Sequence, residues 1–252
     1  MLLLQKRYKL KKVSLIKSVL FPILLWYVLI SFINIILTVV FKTLSLDNLM
    51  LFSVLSSGIS ALVIIFLYKN KLPFDRKLNA KKTLLCVLLM VGLYAFVISI
   101  LNILDVTKYF PNYNNLIEQI QNIPKIIYFL CVIIFAPIGE EVLFRGVIYT
   151  GLKSRMKIGY AIILQAFLFD LIHGNFLQGS YAFIIGIILA LILEYTENIF
   201  VNFLCHITFN ICNDLFKVFP LNYLMTNNLV LLCFGLIIIL TCSYFMLKDV
   251  KS

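Results

Sequence analysis

Long apolar stretches, separated by short polar segments, dominate the pattern of this chain. Eight such stretches recur, with approximate limits Leu15–Phe41, Leu49–Tyr68, Thr83–Leu104, Ile126–Leu152, Ile158–His173, Tyr181–Leu193, Ile199–Phe216 and Leu229–Leu247. Most reach or approach the roughly 20 residues that a helix needs to cross a hydrocarbon layer about 30 Å thick. The pattern therefore predicts an all-α, polytopic membrane protein with about eight transmembrane helices, of which the fifth and sixth are short.

Composition supports this class and limits the number of domains. Hydrophobic residues make up 62% of the chain and charged residues 13%, and the mean hydropathy is +1.03, which excludes an ordinary soluble globular protein. Because little polar sequence remains between the apolar stretches, residues 1–252 are predicted to form a single transmembrane domain. The six cysteines include no C-x-x-C pair, which indicates small buried side chains rather than a disulfide framework or a thiolate metal site.

The net charge of +11 is unevenly distributed between the two sides of the predicted domain. Basic residues precede the first helix, join the second to the third, and follow the fourth and the eighth; the opposite side has only Lys42, Lys108, Lys125 and Lys217. Cytoplasmic loops of membrane proteins carry such an excess of lysine and arginine. Both termini are therefore predicted to be cytoplasmic in a multi-pass protein of the cell membrane. The charge is expected to meet anionic lipid headgroups and not nucleic acid.

The segment Asp105–Lys125 is the longest stretch outside the predicted membrane helices. Its apolar positions Leu116, Ile117, Ile120 and Ile123 fit a short amphipathic helix lying in the outer interface. Such a helix either covers the site or connects two membrane helices, and the connecting role is the favoured interpretation.

A pair of carboxylates and an arginine interrupt the fourth apolar stretch. Each ionisable side chain in a membrane costs roughly 2.5 kcal/mol or more on insertion scales, so a cluster of them indicates a functional site. Glu141 precedes Arg145 by four residues, which places the two on one helix face in the order that favours an ion pair. Glu140 points about 100° away, and its carboxylate is free to act as a general base. A structural Glu141–Arg145 pair between helices is the alternative.

The only two histidines, His173 and His206, also lie in apolar stretches. His173 follows Phe169 by four residues and Asp170 by three. Asp170 is a candidate to fix the imidazole tautomer, although an interfacial charge at the helix end is the favoured interpretation. Counting from the helix ends places Glu140 and His206 at similar depth in the cytoplasmic half, and His173 nearer the outer side.

The seventh stretch carries a polar residue every four positions: Asn198, Asn202, His206, Asn210 and Asp214. Such a stripe is expected to face protein or a water-filled cavity and not lipid. His206 and Asn210 are both able to donate hydrogen bonds from one face, as an oxyanion site requires. Interhelical hydrogen bonding without catalysis is the alternative for Asn202 and Asp214.

Three spaced motifs carry a resemblance to a known family. They are Glu140-Glu141-x-x-x-Arg145, Phe169-x-x-x-His173 and His206-x-x-x-Asn210. In this order, on three apolar stretches, they resemble the motifs of the CAAX-protease and bacteriocin-processing (CPBP, or Abi) family of intramembrane endopeptidases. The resemblance covers about residues 80–216.

The resemblance implies an eight-helix bundle with the site in a cavity of the bundle. It implies that Glu140 and His173 activate a water, that His206 and Asn210 stabilise the oxyanion, and that Glu141 and Arg145 orient the site. The family has been described as metalloproteases, so zinc held by Glu140, His173 and His206 is possible. However, no H-E-x-x-H motif occurs, and hydrolysis by glutamate without a cofactor is favoured.

Three functions are compatible with these patterns. An intramembrane endopeptidase acting on a membrane-associated or lipidated peptide is favoured, because all the motif residues are present. A non-catalytic membrane partner, in bacteriocin self-immunity or in sensor-kinase regulation, is the alternative. A proton-coupled transporter is disfavoured, because the sequence has no internal repeat with paired Gly/Pro-broken helices.

Overall fold

The structure is a computed structural model that describes residues 14–42, 45–72, 77–110, 115, 118–120, 122–216 and 227–251. All regular secondary structure in these ranges is helical, which confirms the all-α prediction. The main helices of the described part are α1 (Phe21–Phe41), α2 (Leu46–Tyr68), α3 (Ala80–Ile103), α4 (Lys125–Lys153), α5 (Ile158–Leu171), α6 (Phe176–Thr196), α7 (Ile199–Leu215) and α8 (Asn228–Lys251). Each corresponds to one of the predicted apolar stretches.

Six of the helices in the described ranges are long and apolar enough to cross a membrane, all except α5 and α7. With 14 and 17 residues, α5 and α7 extend only about 21 and 26 Å at about 1.5 Å per residue. A multi-pass membrane protein is therefore confirmed, with six candidate spans where about eight were predicted. The sixth stretch is a full span, because the Asn175 side chain caps a helix that begins at Phe176 and continues past Glu194 to Thr196.

Helix α8 packs closely along α3 at two glycines. A methyl group added at Gly92 would lie 2.8 Å from the Ile238 side chain, and one added at Gly235 would lie 2.8 Å from the Gly92 carbonyl oxygen. At the other end of α8, the Asp249 carboxylate pairs with Lys82 at 3.0 Å. These contacts attach α8 to α3 along the length of both helices.

Helix α4 occupies the centre of the bundle. Every residue from Glu141 to Tyr149 is buried, and Gly139 lets α4 approach α2 so closely that an added methyl group would lie 2.5 Å from the Ala61 side chain. The backbone is wound as π-helix over Phe129–Phe135 and Val142–Tyr149. Such windings often occur at functional sites. The residues between them, Ala136–Glu141, return to α-helix and include both glutamates.

Candidate active site

The predicted ion pair of α4 is present and fully buried. Arg145 Nη1 lies 2.9 Å from Glu141 Oε1, and neither side chain is exposed. The guanidinium also donates to the Gly186 carbonyl oxygen of α6 at 3.2 Å and lies 4.6 Å above the centre of the Phe169 ring of α5. Arg145 therefore connects α4, α5 and α6 behind the site.

Glu141 has two further partners, both on α7. Its Oε1 accepts a hydrogen bond from His206 Nδ1 at 2.9 Å, and its Oε2 accepts one from Asn202 Nδ2 at 3.2 Å. Asn202 also donates to the Leu189 carbonyl oxygen at 2.7 Å, so the interhelical role considered for it is observed. With both oxygens occupied by protein donors, Glu141 holds His206 in one orientation.

Glu140 differs from its neighbour in its surroundings. Its side chain is 17% exposed, and its Oε2 lies 3.7 Å from His206 Nε2, which is too long for a hydrogen bond. Unlike Glu141, it lines a cavity. The Glu140 carboxylate therefore remains able to bind a water molecule or a substrate group.

The His173 tautomer is set by the backbone of its own helix. Its Nδ1 lies 2.7 Å from the Phe169 carbonyl oxygen; because a carbonyl only accepts, Nδ1 carries the proton and Nε2 keeps a lone pair in the neutral ring. Asp170 is not the partner in this contact. The imidazole and the His206 ring both pack against the Phe169 ring, with centroids 4.8 and 5.9 Å away. Phe169 therefore contacts both histidine rings.

One cavity of about 770 Å³ brings the remaining candidates together. Glu140, His173, His206 and Asn210 all line it, with walls from α3, α4, α6 and α7. Asn210 donates one amide hydrogen to the Val132 carbonyl oxygen at 3.2 Å and retains a second. Ile120 and Ile123 also line the cavity. The segment Asp105–Lys125 therefore contributes to the site and does more than connect two helices, the role that was favoured for it. Two further apolar positions of this segment, Leu116 and Ile117, lie outside the described residues.

One buried residue behind the site was not singled out from the sequence. Gln165 of α5 is fully buried, and its Nε2 donates at 2.8 Å to the Gly186 carbonyl oxygen that also accepts from Arg145. The available signal was a lone amide in an otherwise apolar helix. Its partner is a backbone atom of another helix, which spacing along one helix does not reveal.

A bound zinc ion would need at least three side-chain ligands that lie close together. Within the part of the chain that is described, no three His, Cys, Asp or Glu side chains are grouped as metal ligands. We therefore derive no chemical step through a metal.

A family model described as Type II CAAX prenyl endopeptidase Rce1-like matches residues 122–212. The match runs from the start of α4 into α7 and includes all six candidate site residues. It confirms the resemblance found from the three motifs. Searches of the curated proteins and of the solved structures return no match.

Proposed function

Since residues 122–212 match the family model of the Rce1-like, type II CAAX prenyl endopeptidases, we propose that the chain is an intramembrane endopeptidase in which Glu140 activates water. One observation carries the proposal. The four residues that line one cavity are Glu140, His173, His206 and Asn210. A proposed base, a hydrogen-bond acceptor for water and two hydrogen-bond donors, in that order, therefore face the same space. The family match supports a membrane peptide hydrolase, and the roles of individual residues are our proposal.

The first chemical step is the attack of water on the peptide carbonyl carbon. A water between Glu140 and His173 donates one hydrogen bond to His173 Nε2, whose lone pair faces away from the Phe169 carbonyl. Glu140 removes the other proton as general base, and the hydroxide oxygen forms a bond to the carbonyl carbon. The carbonyl oxygen becomes an oxyanion.

His206 and Asn210 stabilise that oxyanion. Asn210 supplies its second amide hydrogen, and His206 donates from Nε2 when both ring nitrogens are protonated. Removal of one such donor costs enzymes about 10²–10³ in kcat. When the C–N bond breaks, Glu140 returns its proton to the leaving amine, so the carboxylate is regenerated. Glu141 and Arg145 contact neither substrate nor water and act as positioning residues for His206.

No cofactor is required for this sequence of steps, and we propose a glutamate peptidase. The substrate is a membrane-associated peptide or protein, in contact with membrane lipids at the bundle surface. Two features support this class: the apolar cavity walls and the location of the site among apolar helices.

The decisive variant is Glu140→Gln, which preserves side-chain size and removes the base. Glu118→Gln is the matched control, because Glu118 is exposed and does not line the cavity. Membranes from cells producing the wild type or either variant are compared by mass spectrometry of new protein termini. Termini that depend on the enzyme are expected to persist with Glu118→Gln and to disappear with Glu140→Gln.

Unchanged termini with a folded, normally abundant Glu140→Gln protein would refute the peptidase and favour the non-catalytic partner. Metal analysis of the purified protein tests the second half of the proposal. Stoichiometric zinc that is lost in a His173→Ala variant would refute the glutamate mechanism, even if peptide hydrolysis is retained.

A further inference from the structure

The cavity wall carries a polar cluster that the proposed reaction does not use. Its members are Tyr94 of α3, Tyr128 of α4, and Asn213 and Asp214 of α7, and all four line the cavity. The Tyr94 hydroxyl donates to Asn213 Oδ1 at 3.4 Å, and the Tyr128 hydroxyl lies within hydrogen-bonding reach of both Asn213 and Asp214. We call these four residues the Asp214 cluster. It joins three helices of the cavity wall around one carboxylate.

The hydrogen bonds of the cluster are directed toward Asp214. A carboxylate only accepts, so the Tyr128 hydroxyl donates to it. The Tyr128 oxygen in turn can accept from the Asn213 amide, whose own oxygen is occupied by Tyr94. Two carboxylate oxygens have about four acceptor positions, so Asp214 retains capacity for further donors. The ion pairs of the described residues do not include Asp214.

The position of Asp214 on its helix strengthens the negative potential at this point of the cavity. It is the last residue but one of α7 (Ile199–Leu215), and the last turn of that helix has no basic residue. The C-terminal end of a helix itself carries roughly half a negative charge, which favours cations there and disfavours a carboxylate. Lys125 also lines the cavity, but its side chain is exposed, where solvent and salt screen its charge. The cluster is therefore suited to a positively charged group.

The distance between Asp214 and the proposed oxyanion donors is that of a few peptide residues. Asp214 follows Asn210 by four residues and His206 by eight, which corresponds to about 6 and 12 Å along the helix. Each four-residue step turns the side chain by only about 40°, and all three residues line the same cavity. An extended peptide advances about 3.3 Å per residue. A peptide held at His206 and Asn210 would place a residue roughly two to four positions from the scissile bond beside Asp214.

Resting on the proposed function, we infer that the Asp214 cluster is a specificity site that binds a positively charged group of the peptide substrate. Asp214 pairs with the cation, and Tyr128 holds the carboxylate in place. The group belongs to a lysine or arginine side chain roughly two to four residues from the scissile bond, or to a free amino terminus at that distance. A neutral apolar side chain at the same position offers no donor to Asp214, so the enzyme prefers the charged one.

The test uses peptides that span a Glu140-dependent cleavage site, acetylated and amidated at their ends. Lysine, or norleucine, which keeps a linear apolar side chain and lacks the amine, is placed in turn at the second, third and fourth residues on either side of the scissile bond. At one of these positions the wild type is expected to cleave the lysine peptide with a kcat/KM about tenfold or more above that of the norleucine peptide, as for a hydrogen bond to a charged group. Asp214→Asn is expected to bring this ratio close to one.

Asp105→Asn is the matched control, because Asp105 is exposed and does not line the cavity. It is expected to keep the wild-type ratio. A second set of norleucine peptides, shortened so that the first residue lies at the same positions, is compared with and without the acetyl group. A preference for the free amine that Asp214→Asn abolishes would identify an amino terminus as the bound group, in place of a side chain.

The specificity site and the peptidase fail in different ways. Ratios close to one in both peptide sets with the wild type, or a preference that survives in Asp214→Asn, would overturn the site and leave the peptidase. Equal losses on both members of a pair leave the ratio unchanged and would overturn the site in the same way. If the wild type cleaves no peptide faster than Glu140→Gln does, the peptidase itself is refuted, and the site with it.

Discussion

Replacement of Arg145 by methionine is expected to destabilise the protein strongly. Methionine keeps an unbranched apolar side chain but removes the charge that faces Glu141 at 2.9 Å, where both side chains are fully buried. Breaking a buried ion pair by deleting one partner costs about 3–5 kcal/mol, because the other charge remains buried without compensation. A neutral interhelical hydrogen bond in a membrane contributes only about 0.6 kcal/mol on average. We expect Arg145→Met to lower the free energy of unfolding by an amount near the first of these values, about 3–5 kcal/mol.

The magnitude is measured by unfolding in detergent micelles. At about 2–4 °C per kcal/mol for a chain of this size, a loss of 3 kcal/mol corresponds to a fall in Tm of about 6–12 °C. Lys82→Met is the control: its pair with Asp249 is partly exposed, with side chains 28% and 25% accessible. Exposed pairs contribute about 0–1 kcal/mol, so this variant is expected to unfold close to the wild type.

A double variant tests the cause of the loss. Combining Arg145→Met with Glu141→Gln removes both charges, so the double variant is expected to be more stable than the sum of the single losses predicts, by about 1 kcal/mol or more. The reasoning would be refuted if the two losses added within about 0.5 kcal/mol. It would equally be refuted if Arg145→Met were no less stable than Lys82→Met.

Two further substitutions test the packing of α4 and the support of His206. Gly139→Ala is expected to lower the free energy of unfolding by about 1–3 kcal/mol, because the added methyl group meets α2. Gly159→Ala is the control: nothing lies within 4 Å of its added methyl group, and it is expected to stabilise its helix by up to about 1 kcal/mol. Equal Tm shifts of the two variants would contradict this. Asn202→Leu removes a donor from Glu141 and is expected to lower kcat about 10- to 100-fold with KM nearly unchanged, measured with a peptide that spans a Glu140-dependent cleavage site. A change in KM alone would contradict a positioning role.

The part of the site that lies within single helices was predictable from the sequence. Residues four apart share a helix face, so the Glu141–Arg145 pair followed from spacing. The same rule predicted that His206 and Asn210 lie on one face of α7. These predictions needed no knowledge of how the helices pack, because both partners belong to one element. The apolar stretches likewise predicted each main helix of the described part. The sixth stretch begins at Tyr181, whereas α6 begins at Phe176, because Asn175 caps the helix there.

Contacts between helices were not predictable in the same way. The spacing of Glu141 did not indicate that His206 and Asn202 of α7 occupy its oxygens, nor that Gly186 of α6 accepts from both Arg145 and Gln165. The depth of His173, counted from the helix ends, stays a prediction for a related reason. Counting from helix ends assumes helices of full span, and α5 has only 14 residues.

The helical periodicity of α4 explains why two adjacent glutamates do not have interchangeable roles. One residue along a helix rotates the side chain by about 100°, which turns Glu140 toward the cavity and Glu141 toward the buried arginine. A carboxylate in the position of Glu141, surrounded by donors, is stable but has no oxygen free for water. A carboxylate in the position of Glu140 faces open space and lacks those donors. In the proposed mechanism, chemistry at Glu140 therefore depends on Glu141, because Glu141 holds His206, the histidine that stabilises the oxyanion.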